Sequence, residues 1–225
     1  NITLTVKEIT GTAADVTIVL NTAVAEISGQ EKAAVKVTDE VKTTDIGAIL
    51  TKADGIVTAT VKAATATDLK TPLTNAKATD KLTLKVINAA GATDAADLNY
   101  LDDKTAVKVD ASAVTAISGT AAELKKLVAA KGVEIAKGVN ITVTGDVKAS
   151  DLATILKSTL GKVTATDVTA DTAAALNKAL TDKDVNALTL KVNGTTATAK
   201  DLISLDGNTS VAIQLKVGAI TGNIA

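Results

Sequence analysis

The sequence predicts an α/β repeat fold. It reads as a solenoid of about eight strand-plus-short-helix layers, with a parallel sheet on one side and helices on the other. Three observations carry this. A helix-start motif recurs about every 27 residues, strands of period two separate its copies, and aromatic side chains are nearly absent.

The helix signal is the unit Thr-Ala-Ala-acid-apolar. It stands as Thr12-Ala13-Ala14-Asp15-Val16 and as Thr120-Ala121-Ala122-Glu123-Leu124. Looser copies align Asp15, Asp45, Asp68, Asp97, Glu123, Asp151, Ala175 and Asp201, at spacings of 23 to 30 residues. A hydroxyl followed three residues later by an acid resembles a capping box, although the usual box ends in Glu or Gln. Such a pair satisfies first-turn N–H groups and complements the helix dipole. Apolar residues follow at helical spacing, as in Leu124 and Leu127 or Leu152, Ile155 and Leu156. Helices of two to three turns are unstable alone, so packing must hold them.

The strand signal is alternation. Examples are Ile2 to Val6, Val57 to Val61, Leu82 to Val86, Val107 to Val109, Ile141 to Thr144, Leu188 to Val192 and Ile213 to Val217. Apolar residues face one way, and Thr, Lys or Gln the other. Doubly wound sheets bury both faces and carry continuous apolar strands, so alternation points to a sheet covered on one face only. The expected core includes Leu84, Val109, Leu124, Leu127, Val143, Leu152 and Leu190. Layers about 4.8 Å apart favour small side chains stacked in ladders, and eight would make a rod on the order of 40 Å long.

Composition narrows the chemistry. The 225 residues contain no Cys, His, Met, Phe, Trp or Arg, and a single Tyr and Pro. Ala and Thr make up about a third of the chain. Disulfides, thiolate nucleophiles, imidazole bases and Cys- or His-ligated metals are excluded. A net charge of −1 and one aromatic ring offer no footprint for nucleic acid. No apolar run approaches the roughly 18 residues that cross a membrane.

The chain reads as one continuous repeat domain, residues 1–225. Its start, lacking Met and a signal peptide, is expected to be processed or excised. Neither end carries a polar capping repeat, so the expectation is a segment of a longer array or a subunit that stacks on neighbours.

The stretch from Asp97 through Tyr100, Asp102, Asp103 and Val109 to Val114, continuing into Ile117 to Leu124, resembles repeats of very large bacterial cell-surface or secreted proteins. Those of marine cyanobacteria are the nearest in character, and some phage fibre proteins are similar. Leu202 to Gly207 repeats the Leu-x-x-Leu-Asp-Gly form. The resemblance covers most of the chain as pattern and about 30 residues closely. It implies a surface coat such as an S-layer, an adhesin or a filament, located outside the cell. Its partners would be copies of itself, covalent neighbouring repeats or polysaccharide. It transfers no catalytic residue. The glycine-rich calcium repeat of such proteins is absent, and Lys on the strands departs from their acidic versions.

Among candidate sites, the acids at the helix starts read first as caps. Asp102, Asp103 and Asp206 follow helices and could supply oxygen ligands to a hard cation such as calcium, or simply be turn residues. Thr58, Thr60, Thr142 and Thr144, with Thr3 and Thr5, would project from the sheet as a regular array suited to glycan or ice. Lys36, Lys85, Lys108, Lys191 and Lys216 would interrupt it. Asn1, Asn140, Asn193 and Asn208 begin Asn-x-Ser/Thr triplets, which chance also provides in so Thr-rich a chain. Paired carboxylates can hydrolyse glycosides, but none stands apart from the repeat. The expectation is therefore a non-enzymatic structural protein, or alternatively a binding module for glycan or ice.

Overall fold

The computed structural model of the chain describes residues 2–3, 6–21, 27–28, 30–181 and 186–222. In order the elements are β1 (Ile2–Thr3), β2 (Glu8–Gly11), α1 (Ala13–Asn21), β3 (Ile27–Ser28), β4 (Ala34–Val41), α2 (Thr43–Lys52), β5 (Val57–Val61) and α3 (Ala66–Lys70). Then come β6 (Lys81–Thr83), β7 (Thr93–Asp94), α4 (Ala95–Asp102), β8 (Val109–Ala111), β9 (Ala116–Thr120), α5 (Ala121–Ala129) and β10 (Val133–Ile135). The last are β11 (Asn140–Thr144), α6 (Ala149–Leu156), β12 (Val163–Ala165), α7 (Ala173–Ala179), β13 (Ala187–Leu188), β14 (Lys191–Thr198), α8 (Ala199–Asp206) and β15 (Gln214–Thr221).

This is a mixed α/β fold with eight α-helices and parallel strands among the described residues. All eight aligned positions, from Asp15 to Asp201, fall in the first turn of a helix. The chain divides into two compact units. One holds residues 1–93, 97–114 and 130–135, and the other 94–96, 115–129 and 136–225.

In the first unit the main sheet runs β2-β4-β5-β6, with β8 and β10 paired separately. A single parallel bridge, Lys85 to Asp110, continues the ladder beyond β6. Helix α1 packs on α2, and α2 on the 3₁₀ turn Thr71–Leu73 that follows α3. In the second unit four consecutive strands of the sheet run β9-β11-β12-β13, and β14 pairs with β15. Helices α5, α6, α7 and α8 pack each on the next. Among the described residues the nine strand pairs with a resolved register are parallel, and register partners lie 20 to 26 residues apart.

The strands are shorter and more broken than one per repeat. They form sheets of two to five strands. Two causes are visible. The register shifts between Lys36 and Glu40 where β4 meets β5. The predicted Leu188–Val192 strand bends, so that Leu188 pairs with Ala165 in one sheet while Lys191 begins the pairing with Gln214 in another. Of the predicted first strand, residues 4 and 5 lie outside the described residues.

Alternation holds on the inner strands. Val57, Ala59 and Val61 are buried on β5, and Ile141 and Val143 on β11, while Thr60, Thr142 and Thr144 are exposed. Leu84, Val109, Leu124, Leu127, Val143, Leu152 and Leu190 are all 2% exposed or less. On β15 alternation fails, because no described layer covers it: only Val217 is even half-buried.

Two glycines mark how closely successive segments approach. A Cβ at Gly55 would fall 2.0 Å from the Ala33 carbonyl oxygen, and one at Gly161 would fall 2.3 Å from that of Val139. Each glycine lies two residues before a strand, so a side chain there would push neighbouring backbones apart.

A buried polar column, not visible in the sequence, ties these backbones together. Thr105 accepts from the N–H groups of Leu82 and Val107, each at 3.0 Å, and donates to the Leu82 carbonyl. Thr209 repeats this with Leu188 and Val211. Asp80 accepts from the Val57 and Lys77 N–H groups at 2.8 Å, and Asn186 from that of Val163. Each side chain serves a buried backbone N–H group 21 to 23 residues away.

Candidate functional site

The most regular polar feature is the acid column at the helix starts. Thr12, Thr65 and Thr198 each accept from the backbone N–H of the aspartate three residues on, and donate their hydroxyl to its carboxylate at 2.7–2.8 Å. Only Glu123 completes the full box, because its longer side chain also reaches the Thr120 backbone N–H at 2.8 Å. The same bonds from Thr120 hold the Glu123 carboxyl below its usual range. Aspartate is one methylene shorter and settles for the hydroxyl.

Three helix-start positions are also reached by a side chain of the preceding helix. Lys148 stands at the cap of α6 without a cap bond, and Asp151 takes Lys125 Nζ at 2.6 Å. Asp97, itself buried, takes Lys70 Nζ at 2.6 Å and the Thr67 hydroxyl at 2.9 Å. Asn177 donates to the Asp201 carbonyl at 2.9 Å. In all three the long donor lies two residues after the aligned position of its own helix. Lys70, Lys125 and Asn177 were thus legible in the sequence as a second recurring column, but only the packed helices show what they reach.

The cation candidates fall at helix ends in two different units. Asp102 ends α4 beside Gly132, where a Cβ would fall 1.7 Å from its Oδ1, and Asp103 is exposed. Asp206 ends α8, in the second unit, and is exposed. Among the described residues no three acids form a group that could hold a metal ion. The Lys191 ammonium, bonded to Asp167, holds its carboxyl below the ordinary range, with neighbouring Asp146 contributing less. Asp110 is lowered too, by bonds from the Ser112 hydroxyl and amide and by the charge of Lys85.

The outward sheet faces differ between the units. In the first, Thr58 aligns between Lys36 and Lys81, and Thr60 between Glu40 and Thr83, so charges interrupt the hydroxyls. In the second, Ser118, Thr142 and Thr164 form an unbroken row, and Thr120 aligns with Thr144. Strand spacing sets these hydroxyls about 4.8 Å apart along a row. Three of the lysines expected to break the array have partners of their own. Lys85 bridges to Asp110, Lys108 pairs with Glu134 at 3.3 Å, and Lys191 pairs with Asp167. Lys81, not singled out from the sequence, does interrupt the first unit's row.

Of the possible glycan acceptors, Asn140 and Asn193 are exposed, while Asn1 lies outside the described residues. Asn208 is corrected: it is buried and donates its amide to the Leu180 carbonyl at 3.1 Å, so no glycan could be attached without unfolding that turn. On the helical side of the first unit a groove of about 540 Å³ is lined by Thr43, Thr44, Gly47, Thr71 and Pro72. Its single carboxylate, Asp68, is already held by Thr65. No protein-family model, curated protein or solved structure matches this chain.

Proposed function

We propose that the chain is a non-enzymatic extracellular structural protein, a stiff load-bearing element of a surface coat, fibre or adhesin stalk, built as a solenoid of eight strand-and-helix layers. The observation that carries this reading is the recurrence of the same residue-to-residue links at one-repeat spacing. Parallel register, helix on helix, Lys or Asn to the next acid, and buried Thr, Asp or Asn to the previous backbone all repeat. The buried Thr, Asp and Asn side chains described above each hold a backbone 21 to 23 residues away. In such an architecture each layer is stabilised by its neighbours, so resistance to force is distributed along the chain.

Pulling on the two ends of a single molecule tests this. The expected trace shows resisted extension in steps, each releasing about one repeat. At roughly 3.3–3.6 Å per residue, a repeat of about 27 residues gives roughly 90 Å. Extension without resistance would count against a load-bearing role.

A second reading has one observation in its favour, the uninterrupted Ser118-Thr142-Thr164 row. A flat hydroxyl lattice of this kind suits the ordered surface of an insoluble polysaccharide or of ice. The double change Thr142→Ala and Thr144→Ala separates the two readings. These side chains are exposed, so stability should move by no more than about 0.5 kcal/mol. A structural element keeps whatever adsorption to cellulose, chitin or ice the parent shows, whereas a binding face loses it.

A further inference from the structure

We propose that copies of this chain associate head to tail, the open edge of β15 in one copy pairing in parallel with β2 of the next while α8 packs on α1. This rests on the structural reading above and names its partner, a second copy of the same chain, and the surfaces used.

The two edges are open in the same way. Among the described residues β15 pairs only with β14, and β2 only with β4. Leu215 and Ile220 on β15 are 47% and 57% exposed, yet their register partners on β14, Val192 and Ala197, are 1% and 5% exposed. The same row is thus covered on one strand and bare on the next. At the other edge Ile9 is half-exposed, while its partner Val35 is 1% exposed.

The helices agree. Among the described residues, Ile18 on α1 and Ile203 on α8 are the large aliphatic helix residues that stand exposed, at 63% and 74%. Ile203 occupies the position, two after the aligned acid, from which Lys70, Lys125 and Asn177 reach the following helix. An isoleucine there calls for an apolar neighbour rather than an acid. Helix α1 meets that need, since its Ile18 side chain is presented outward. Both halves of the contact are therefore carried by one sequence. A head-to-tail contact of this kind leaves a fresh edge after each addition, so it generates open chains rather than closed pairs.

The caps set the register. Thr198 caps α8 and pairs with Thr221, and Thr12 caps α1, which places Thr221 beside Thr12 and Ala219 beside Thr10 of the next copy. The chain contains no cysteine, so Thr10→Cys with Ala219→Cys gives a clean reading. Oxidation should yield a ladder of covalent dimers, trimers and longer species. Sedimentation of the parent chain should show size growing with concentration. Ile18→Lys (head) and Ile220→Lys (tail) should each weaken association roughly tenfold or more. Mixed in equal amounts, they should form pairs that grow no further, since each retains one intact end. A parent chain that stays monomeric at its highest soluble concentration overturns the proposal, as do oligomers indifferent to both changes. Stepwise unfolding in a monomeric chain would leave the layered structural reading standing and remove only the head-to-tail contact. Unresisted extension would remove the reading itself.

Discussion

Leu124→Asp unfolds the second unit. Leu124 is completely buried in α5. Removing it forfeits about 2–3 kcal/mol of apolar burial. Placing a carboxylate at a fully buried position adds the desolvation of a charge or the cost of keeping it protonated. Together these exceed about 4 kcal/mol, the range reserved for buried charges and large cavities. Because α5 packs on α6 and α6 on α7, loss of α5 uncovers the helix beside it. Urea denaturation followed by circular dichroism is the measurement. Ala122→Asp, on the exposed side of the same first turn, is the control and should change stability by less than about 0.5 kcal/mol. An unchanged transition for Leu124→Asp would overturn the core assignment.

Asp80→Leu has the second largest expected effect, and for the opposite reason. Asp80 is 1% exposed and acts as an acceptor for the Val57 and Lys77 N–H groups. Leucine matches its burial but accepts nothing, so the buried Val57 N–H is orphaned at a cost of about 1–3 kcal/mol. Lys77 is exposed and can turn to water. With the fit of a larger side chain into a tight site added, the expected loss is about 3 kcal/mol. Asp80→Asn keeps one acceptor oxygen for Val57 and should lose about 1 kcal/mol. Equal stability for the leucine variant and the parent would show that the polar column contributes nothing. Hydrogen exchange at Val57 gives a local check, since that amide should exchange faster in the leucine variant and stay protected in the asparagine variant.

Much of the local structure was legible because each signal has a nearby cause. The helix starts were readable from Thr or Asp followed by an acid, since capping is a contact across three residues. The buried faces of the inner strands were readable from alternation, since a strand's side chains change sides at every residue. Strand ends were less so. Leu188 to Val192 reads as one continuous strand, yet the chain bends within it as pairing passes from one sheet to another. Thr105, Asp80 and Thr209 looked like any other turn residues, and what they hold lies 21 to 25 residues away. The hydroxyl array was anticipated in kind, but its continuity depends on which residues stand beside one another. Lys81 interrupts the row at Thr58, whereas Ser118 and Thr164 extend the row at Thr142.

The amino-acid sequence by itself determined where the helices start and the aliphatic identity of the core, because those follow from spacing and residue type within a few turns of chain. Only the tertiary structure decided which polar side chains are buried, which acid each lysine meets, how the strands divide among sheets, and which edges stay uncovered. Those outcomes depend on residues more than 20 positions apart coming within hydrogen-bond distance, and a contact of that range leaves no local trace in composition or period.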